Sequence, residues 1–216
     1  MTLEIVEYLD ANETSQFARW FDELDPQAAA KVTVALQRIR QGNLSNVKGV
    51  GAGILEYRID FGPGYRIYFG EMENASSCCS DAGPSDAKGA TSKGCKLGGS
   101  TTGGVRREAD AMPLTRDFKI TVKARAERDL AFREALLTEA IELLLSGEIE
   151  TGKAILRDYI NATVGFERLA KKTGTPSKSL MRMLGPKGNP RASNLLTLIS
   201  ALQQVSGLHL EVAAAR

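Results

Sequence analysis

Phe166-Glu167-Arg168-Leu169-Ala170-Lys171-Lys172-Thr173-Gly174-Thr175-Pro176-Ser177-Lys178-Ser179-Leu180-Met181-Arg182-Met183-Leu184 is the stretch on which the reading of this 216-residue chain turns. Phe166 to Thr173 has the spacing of a short helix, and Gly174 breaks it. Thr175-Pro176 then offers an N-cap with proline at the first position of a new helix that runs to about Leu184. Laid on the helix-turn-helix pattern, Leu169 and Ala170 take the packed positions of the first helix, Gly174 takes the turn, and Leu180 and Met183 take the buried positions of the second. The small Ala170 lets two helices cross closely, and Gly174 can take a positive φ without strain. Ser177, Lys178, Ser179, Met181 and Arg182 are left facing outward.

The charge around this stretch is one-sided. Between residues 165 and 191 stand Arg168, Lys171, Lys172, Lys178, Arg182, Lys187 and Arg191, against Glu167. The overall net charge of +2 hides this, because residues 1–71 carry 7 basic and 10 acidic side chains, 72–111 carry 5 and 5, and 112–216 carry 16 and 11. A local cationic excess on a helical hairpin is the footprint expected of a surface that faces phosphates. The residues expected to contact duplex DNA are Lys171, Lys172, Thr175, Ser177, Lys178, Ser179, Arg182 and Lys187. The plainer alternative is a solvated cationic face on a helical bundle.

Outward from the hairpin the same half reads as helical. Residues 127–145 carry Leu130, Ala131, Ala135, Leu136, Ile141, Leu144 and Leu145 among mixed charges, and Gly147 and Gly152 loosen the junction to a helix holding Ile155, Leu156, Tyr159 and Ile160. Gly185 to Pro190 is a turn, Asn194 to Gln204 an amphipathic helix, and Leu208, Leu210 and Val212 alternate as a short final strand.

Residues 72–111 differ in kind: Gly, Ser, Thr, Ala and Asp dominate and no aromatic occurs. Such a segment buries too little apolar surface to offset its ordering entropy, so a flexible linker is expected there. Cys78, Cys79 and Cys95 all fall in it, and with His209 as the single histidine no metal site is expected.

Ahead of the linker the chain mixes α and β. Thr2 to Tyr8 alternates like a strand; Ser15 to Leu24 carries Phe17, Trp20, Phe21 and Leu24 on one side of a helix; Asp25-Pro26 caps a second helix with Ala28, Val32, Ala35, Leu36 and Ile39, ended by Gly42. After a glycine-rich loop over 42–53, Leu55, Tyr57, Ile59 and Phe61 alternate with Glu56, Arg58 and Asp60. Gly62-Pro63-Gly64 turns the chain into Tyr65, Ile67 and Phe69, which alternate with Arg66 and Tyr68, a hairpin with basic and aromatic side chains on its more polar face.

Two resemblances accompany these readings. Residues 1–70, through Trp20-Phe21-Asp22-Glu23-Leu24-Asp25-Pro26, Arg38-Ile39-Arg40-Gln41-Gly42-Asn43-Leu44, Val47-Lys48, Glu56-Tyr57-Arg58 and Gly62-Pro63-Gly64-Tyr65-Arg66-Ile67-Tyr68-Phe69, resemble the HigB-type branch of the RelE/ParE toxin superfamily. Residues 112–213 resemble the HigA-like helix-turn-helix antitoxins that accompany such toxins, and Met112-Pro113-Leu114-Thr115 looks like the start of such a protein. The resemblance implies an α+β, RelE/ParE-like domain over 1–71 with a small antiparallel sheet and two helices, a linker over 72–111, and a mainly α, helix-turn-helix domain over 112–216. In function it implies a toxin–antitoxin-type protein: a sequence-specific transcriptional regulator that binds its own operator as a homodimer, fused to a toxin half.

That toxin half departs from its family. After the hairpin, family toxins continue with a core strand, a basic segment and a closing helix, and no such text follows Phe69. The domain is therefore expected to be incomplete and inactive. Read one base out of frame, the codons open to Ser80–Gly99 are compatible with a strongly basic stretch, so the linker is either a frameshift product or an evolved spacer. The family's ribosome-dependent endonuclease chemistry maps onto Arg58, Tyr65 and Arg66, with Tyr68 stacking on a base, and on that reading the partners would be a ribosome and mRNA. The alternatives to the regulator are a self-inhibited mRNA endonuclease and a pure protein-interaction module, and the resemblance also implies a HigB-like toxin as a partner. No organic cofactor or metal is implied, and with no long apolar run or leader pattern a cytoplasmic protein is expected.

Overall fold

The computed structural model of the protein describes residues 3–72, 75–84 and 114–211, and for 71, 72 and 75–84 it describes the backbone. The class is α+β: six strands and eight helices occur among the described residues, with helix predominating. They fall into two compact units, one within Met1–Leu24 and Arg38–Ile120, the other within Asp25–Gln37 and Thr121–Arg216.

The first unit is built on β1 (Val6–Tyr8), α1 (Gln16–Glu23), β2 (Val47–Gly51), β3 (Ile54–Ile59), β4 (Tyr65–Met72), β5 (Ala75–Pro84) and β6 (Thr115–Asp117). The strands form one sheet in the order β2-β3-β4-β5-β1-β6. Neighbours are antiparallel except β1 and β5, which run parallel with Val6 beside Cys78 and Glu7 beside Cys79. Ser15 starts α1 by accepting the Ala18 N–H at 2.9 Å, and α1 buries Phe17 and Phe21, stacked 5.7 Å apart. Helix α1 packs against β1 and β5. On the sheet, Tyr57, Ile67 and Phe69 are buried with Ile5 and Val6. Glu7 is fully buried, and Arg116 of β6, directly opposite it, donates to its carboxylate at 2.9 Å.

The second unit begins with the helix that the sequence places before the β-hairpin. Helix α2 (Pro26–Arg40) is capped by Asp25, whose Oδ1 accepts the N–H groups of Gln27 and Ala28 at 3.1 and 3.0 Å. It is buried around its circumference: besides the expected stripe, Ala29, Ala30, Thr33, Val34 and Gln37 are covered. Lys31 projects from it to Glu139 at 2.6 Å and to Glu142 at 3.7 Å. The other helices are α3 (Phe118–Arg128), α4 (Leu130–Leu145), α5 (Ile149–Ala162), α6 (Phe166–Thr173), α7 (Ser177–Met183) and α8 (Ala192–Ser206). Phe132, Leu136 and Leu137 of α4 and Ile155, Leu156, Tyr159 and Ile160 of α5 form the packed centre.

Several expectations are corrected. The glycine-rich loop over 42–53 contains β2, held by antiparallel bonds to β3. Residues 75–84, expected in the linker over 72–111, form β5 inside the sheet, because strand pairing on both edges satisfies the backbone whatever the side chains are. A strand therefore does follow the hairpin in the sheet. The remainder of the linker, Cys95 included, lies outside the described residues. The boundaries 1–71 and 112–216 give way to an exchange of segments, α2 counting to the second unit and β6 to the first. Gly152 lies inside α5 and Gly147 alone marks the helix break, at φ 89°. Leu208–Leu210 form no strand; the Leu210 N–H instead donates to the Gln203 side chain at 2.8 Å.

Asp129 joins two jobs, capping α4 through the Phe132 N–H at 3.0 Å and accepting from the Arg125 guanidinium at 3.2 Å. Asp129→Ala should lower unfolding free energy by about 1–2 kcal/mol in urea titration. Thr138→Ala on the exposed side of α4 should change it by less than about 0.5 kcal/mol.

Candidate functional site

On the hairpin of the first unit, alternation decides which side chains can cooperate. Arg58 stands directly opposite Arg66, and Glu56 opposite Tyr68 and Lys48, so these five share the polar face. Two arginines facing each other repel unless an anion intervenes. Glu56, 10% exposed in its side chain, supplies one, its Oε2 lying 3.6 Å from Arg66 Nη1. A hydrogen bond to Tyr68, followed by the charge of Glu56, holds the Arg66 guanidinium above its usual pKa. Arg66 thus remains a fixed cation, while Arg58 and Lys48 stay exposed.

Tyr65 belongs elsewhere. One residue out of phase with Arg66, it is buried on the apolar face, its ring 6.4 Å from that of Trp20 on α1. Of the expected trio, Arg58 and Arg66 are brought together with Tyr68, whereas Tyr65 packs in the core. All three contribute to the wall of a concavity of about 320 Å³ formed by residues 58–66 around the turn. Glu56 was missed by sequence reading, although its place between Arg58 and the line of Lys48 could have marked it.

In the second unit the chain 166–184 forms two short helices about Gly174, and two positions differ from the expectation. Gly174 ends α6 at φ 67°, and Pro176 stands before α7 as its cap residue, so Ser177 is the first helical position. A Cβ on Gly174 would meet nothing, so the positive φ and not crowding is what favours glycine there. Thr173 closes the turn, its hydroxyl donating to the Leu169 carbonyl at 3.0 Å and accepting the Thr175 N–H at 3.3 Å. Phe166, Leu169 and Leu180 are buried; Leu184, not Met183, is the second covered position beyond Leu180. Helix α6 packs against both α7 and α8.

Lys171, Lys172, Lys178, Arg182 and Lys187 are exposed, and Thr175, Ser177 and Ser179 half-buried. Among the described residues none of those five cations has a carboxylate partner, unlike Lys31, Arg125 and Lys153. Glu167, the lone acid of the stretch, accepts from the Ser177 hydroxyl at 2.9 Å and so lies beside the start of α7. Lys172 lines a groove of about 410 Å³ with Thr173, Leu196, Thr197, Ser200 and Gln204, on the α8 side of α6.

Comparison with known proteins adds little to this geometry. A protein of Haemophilus influenzae, described as an uncharacterized protein, is 41% identical over 56 residues, which is 26% of this chain and 57% of that protein. The chain thus spans little more than half the length of that relative. No protein-family model and no solved structure matches the chain. Among the described residues no helix is long and apolar enough to cross a membrane.

Tyr65 therefore reads as a core residue with a predictable signature. Tyr65→Ala should destabilise the protein by about 3 kcal/mol, whereas Arg58→Ala, on the exposed face, should cost less than about 0.5 kcal/mol. Chemical denaturation of the two variants checks this, and equal losses would remove the distinction between the faces.

Proposed function

We propose that the protein is a sequence-specific, DNA-binding transcriptional regulator of antitoxin type, joined to a RelE/ParE-like toxin half that does not act as an enzyme. The observation that carries the reading is the unpaired cationic surface of α6, α7 and the following turn, set on a helical hairpin with a left-handed glycine at its corner. On this reading α7 is the helix that enters the major groove. Lys178, Ser179 and Arg182 meet base edges, while Lys171 and Lys172 at the end of α6 meet phosphate. Ser177 must exchange its Glu167 partner for DNA. A homodimer on paired half-sites of its own operator is the expected assembly.

A second reading, a self-inhibited mRNA endonuclease, draws support from β5, which supplies a sheet strand, and from Arg58, Arg66 and Tyr68 on one face. The basic segment and closing helix of the family toxins do not follow Phe69 in the sequence. Without those donors, stabilisation of the transition-state phosphate would fall by orders of magnitude, which favours the regulator.

In binding titrations of the full chain with its own upstream DNA, Arg182→Ala should cost about 1–3 kcal/mol and relax preference at one base. Lys171→Ala should weaken all sequences alike and flatten the salt slope by about one. Equal losses on operator and random DNA for both variants would overturn the assignment.

Expression of residues 1–111 should leave growth unaffected, because that fragment lacks β6 and the helices 121–206 with which α2 forms a unit. Growth arrest abolished by Arg66→Ala would favour the endonuclease instead.

A further inference from the structure

Lys153 is 1% exposed, as deeply placed as the phenylalanines of the core. It stands on α5 in the stripe that continues through Leu156 and Ile160, where an apolar residue would be expected. A buried ammonium persists only when it is paired and hydrogen-bonded. Glu150, one turn earlier, places Oε1 2.7 Å from Nζ, and that carboxylate is 62% exposed, so the pair reaches water on one side. On the other side Nζ donates to the backbone carbonyl of Gly188.

Gly188 connects this lysine to α7. It sits in the turn that follows the helix, its N–H donating to the Gly185 carbonyl at 2.9 Å. The turn is folded so closely under the helix that a Cβ on Gly188 would collide with the carbonyl oxygens of Arg182 and Met183. Only glycine lets the chain approach the helix end this closely. A contiguous path of hydrogen bond and backbone contact thus runs from the interior of α5 to Arg182.

We propose that Lys153 is a positioning residue for α7: by holding the Gly188 carbonyl it locks the turn 185–188 under the helix and fixes the direction in which Arg182 is presented. The structural part stands on this geometry; its consequence for DNA rests on the regulator reading above. Buried as it is, Lys153 makes no phosphate contact of its own, so its loss should change affinity without changing the number of counterions released.

The test uses the full chain with K153M, K153R, K153Q and G188A, read by hydrogen–deuterium exchange and by anisotropy titration against the chain's own upstream duplex and a random duplex. In K153M the amides of 183–190 should exchange about tenfold faster while those of 166–173 are unchanged. Affinity for the upstream duplex should fall about tenfold at unchanged salt slope, with random duplex bound as before. K153R, which keeps the charge and a donor, should regain most of the protection; a deficit of packing volume would not be repaired this way. G188A, with Lys153 intact, should loosen the same amides through its collision with the helix carbonyls, and K153Q, which keeps a donor without the charge, decides the matter by partial protection of 183–190 if K153M fails to fold. Wild-type exchange over 183–190 in K153M or in G188A would overturn the proposal. Absence of any sequence preference in the wild-type protein would overturn the regulator reading, and the exchange data would still decide the role of Lys153.

Discussion

Strand β5 bonds on both of its edges, antiparallel to β4 and parallel to β1, and the integrity of the first unit follows from that double pairing. Without it the sheet would part into β2-β3-β4 and β1-β6, each with an open edge. Helix α1, which packs on β1 and β5, would lose one of the two strands under Phe17 and Phe21. The backbone carries this strand: its sequence, Ala75-Ser76-Ser77-Cys78-Cys79-Ser80-Asp81-Ala82-Gly83-Pro84, has no β-branched residue. The β3–β4 register places Arg58, Arg66 and Tyr68 on one face, and β5, with two irregularities in its pairing, occupies the other edge of β4.

The second unit meets a different demand, that of keeping two short helices in place. Helices of seven or eight residues such as α7 and α6 have little stability of their own. Their positions come from Leu169 and Leu180 in the core and from hydrogen bonds at the ends, the Thr173 hydroxyl at the turn and the Lys153 ammonium under the far side. Polar groups are buried where the backbone would otherwise be left without partners. Among the described residues Lys171, Lys172, Lys178, Arg182 and Lys187 at the same time carry no carboxylate partner. The buried Lys153 is thus matched by Glu150 and the Gly188 carbonyl, whereas the exposed cations around α7 are not, as the proposed DNA-facing surface requires.

Much of this was legible in the residues themselves. Helical periodicity and caps located α1, α2, α4 and α8, because Ser15 and Asp25 are short acceptors set where the first N–H groups need them. The Gly62-Pro63-Gly64 turn and its flanking alternation gave β3 and β4 to within about three residues at their ends. What escaped is what depends on partners remote in sequence. The strands β2 and β5 are glycine- and serine-rich and carry no periodic signal of their own. Alternation put Arg66 and Tyr68 together but left the side of Tyr65 to be settled by Trp20, more than forty residues earlier. Lys153 could have been found: a lysine inside an apolar helical stripe is a burial signal, whereas nothing in Gly188 announces which carbonyl meets it.

The exchange of segments between the units bears on the order in which the chain can fold as it is made. Lys31 is synthesised 108 residues before its partner Glu139. At about 5–20 residues per second, an emerging α2 waits roughly 5–20 s for α4. Through that interval Ala29, Ala30, Val34 and Leu36 have no cover from the unit they will join. The sheet waits as well, since β6 follows β1 by more than a hundred residues. A nascent chain of this protein therefore carries exposed apolar helix and an unfilled strand edge for seconds, a window in which holding chaperones and proteases compete with completion, and abundance becomes a matter of elongation rate as much as of final stability.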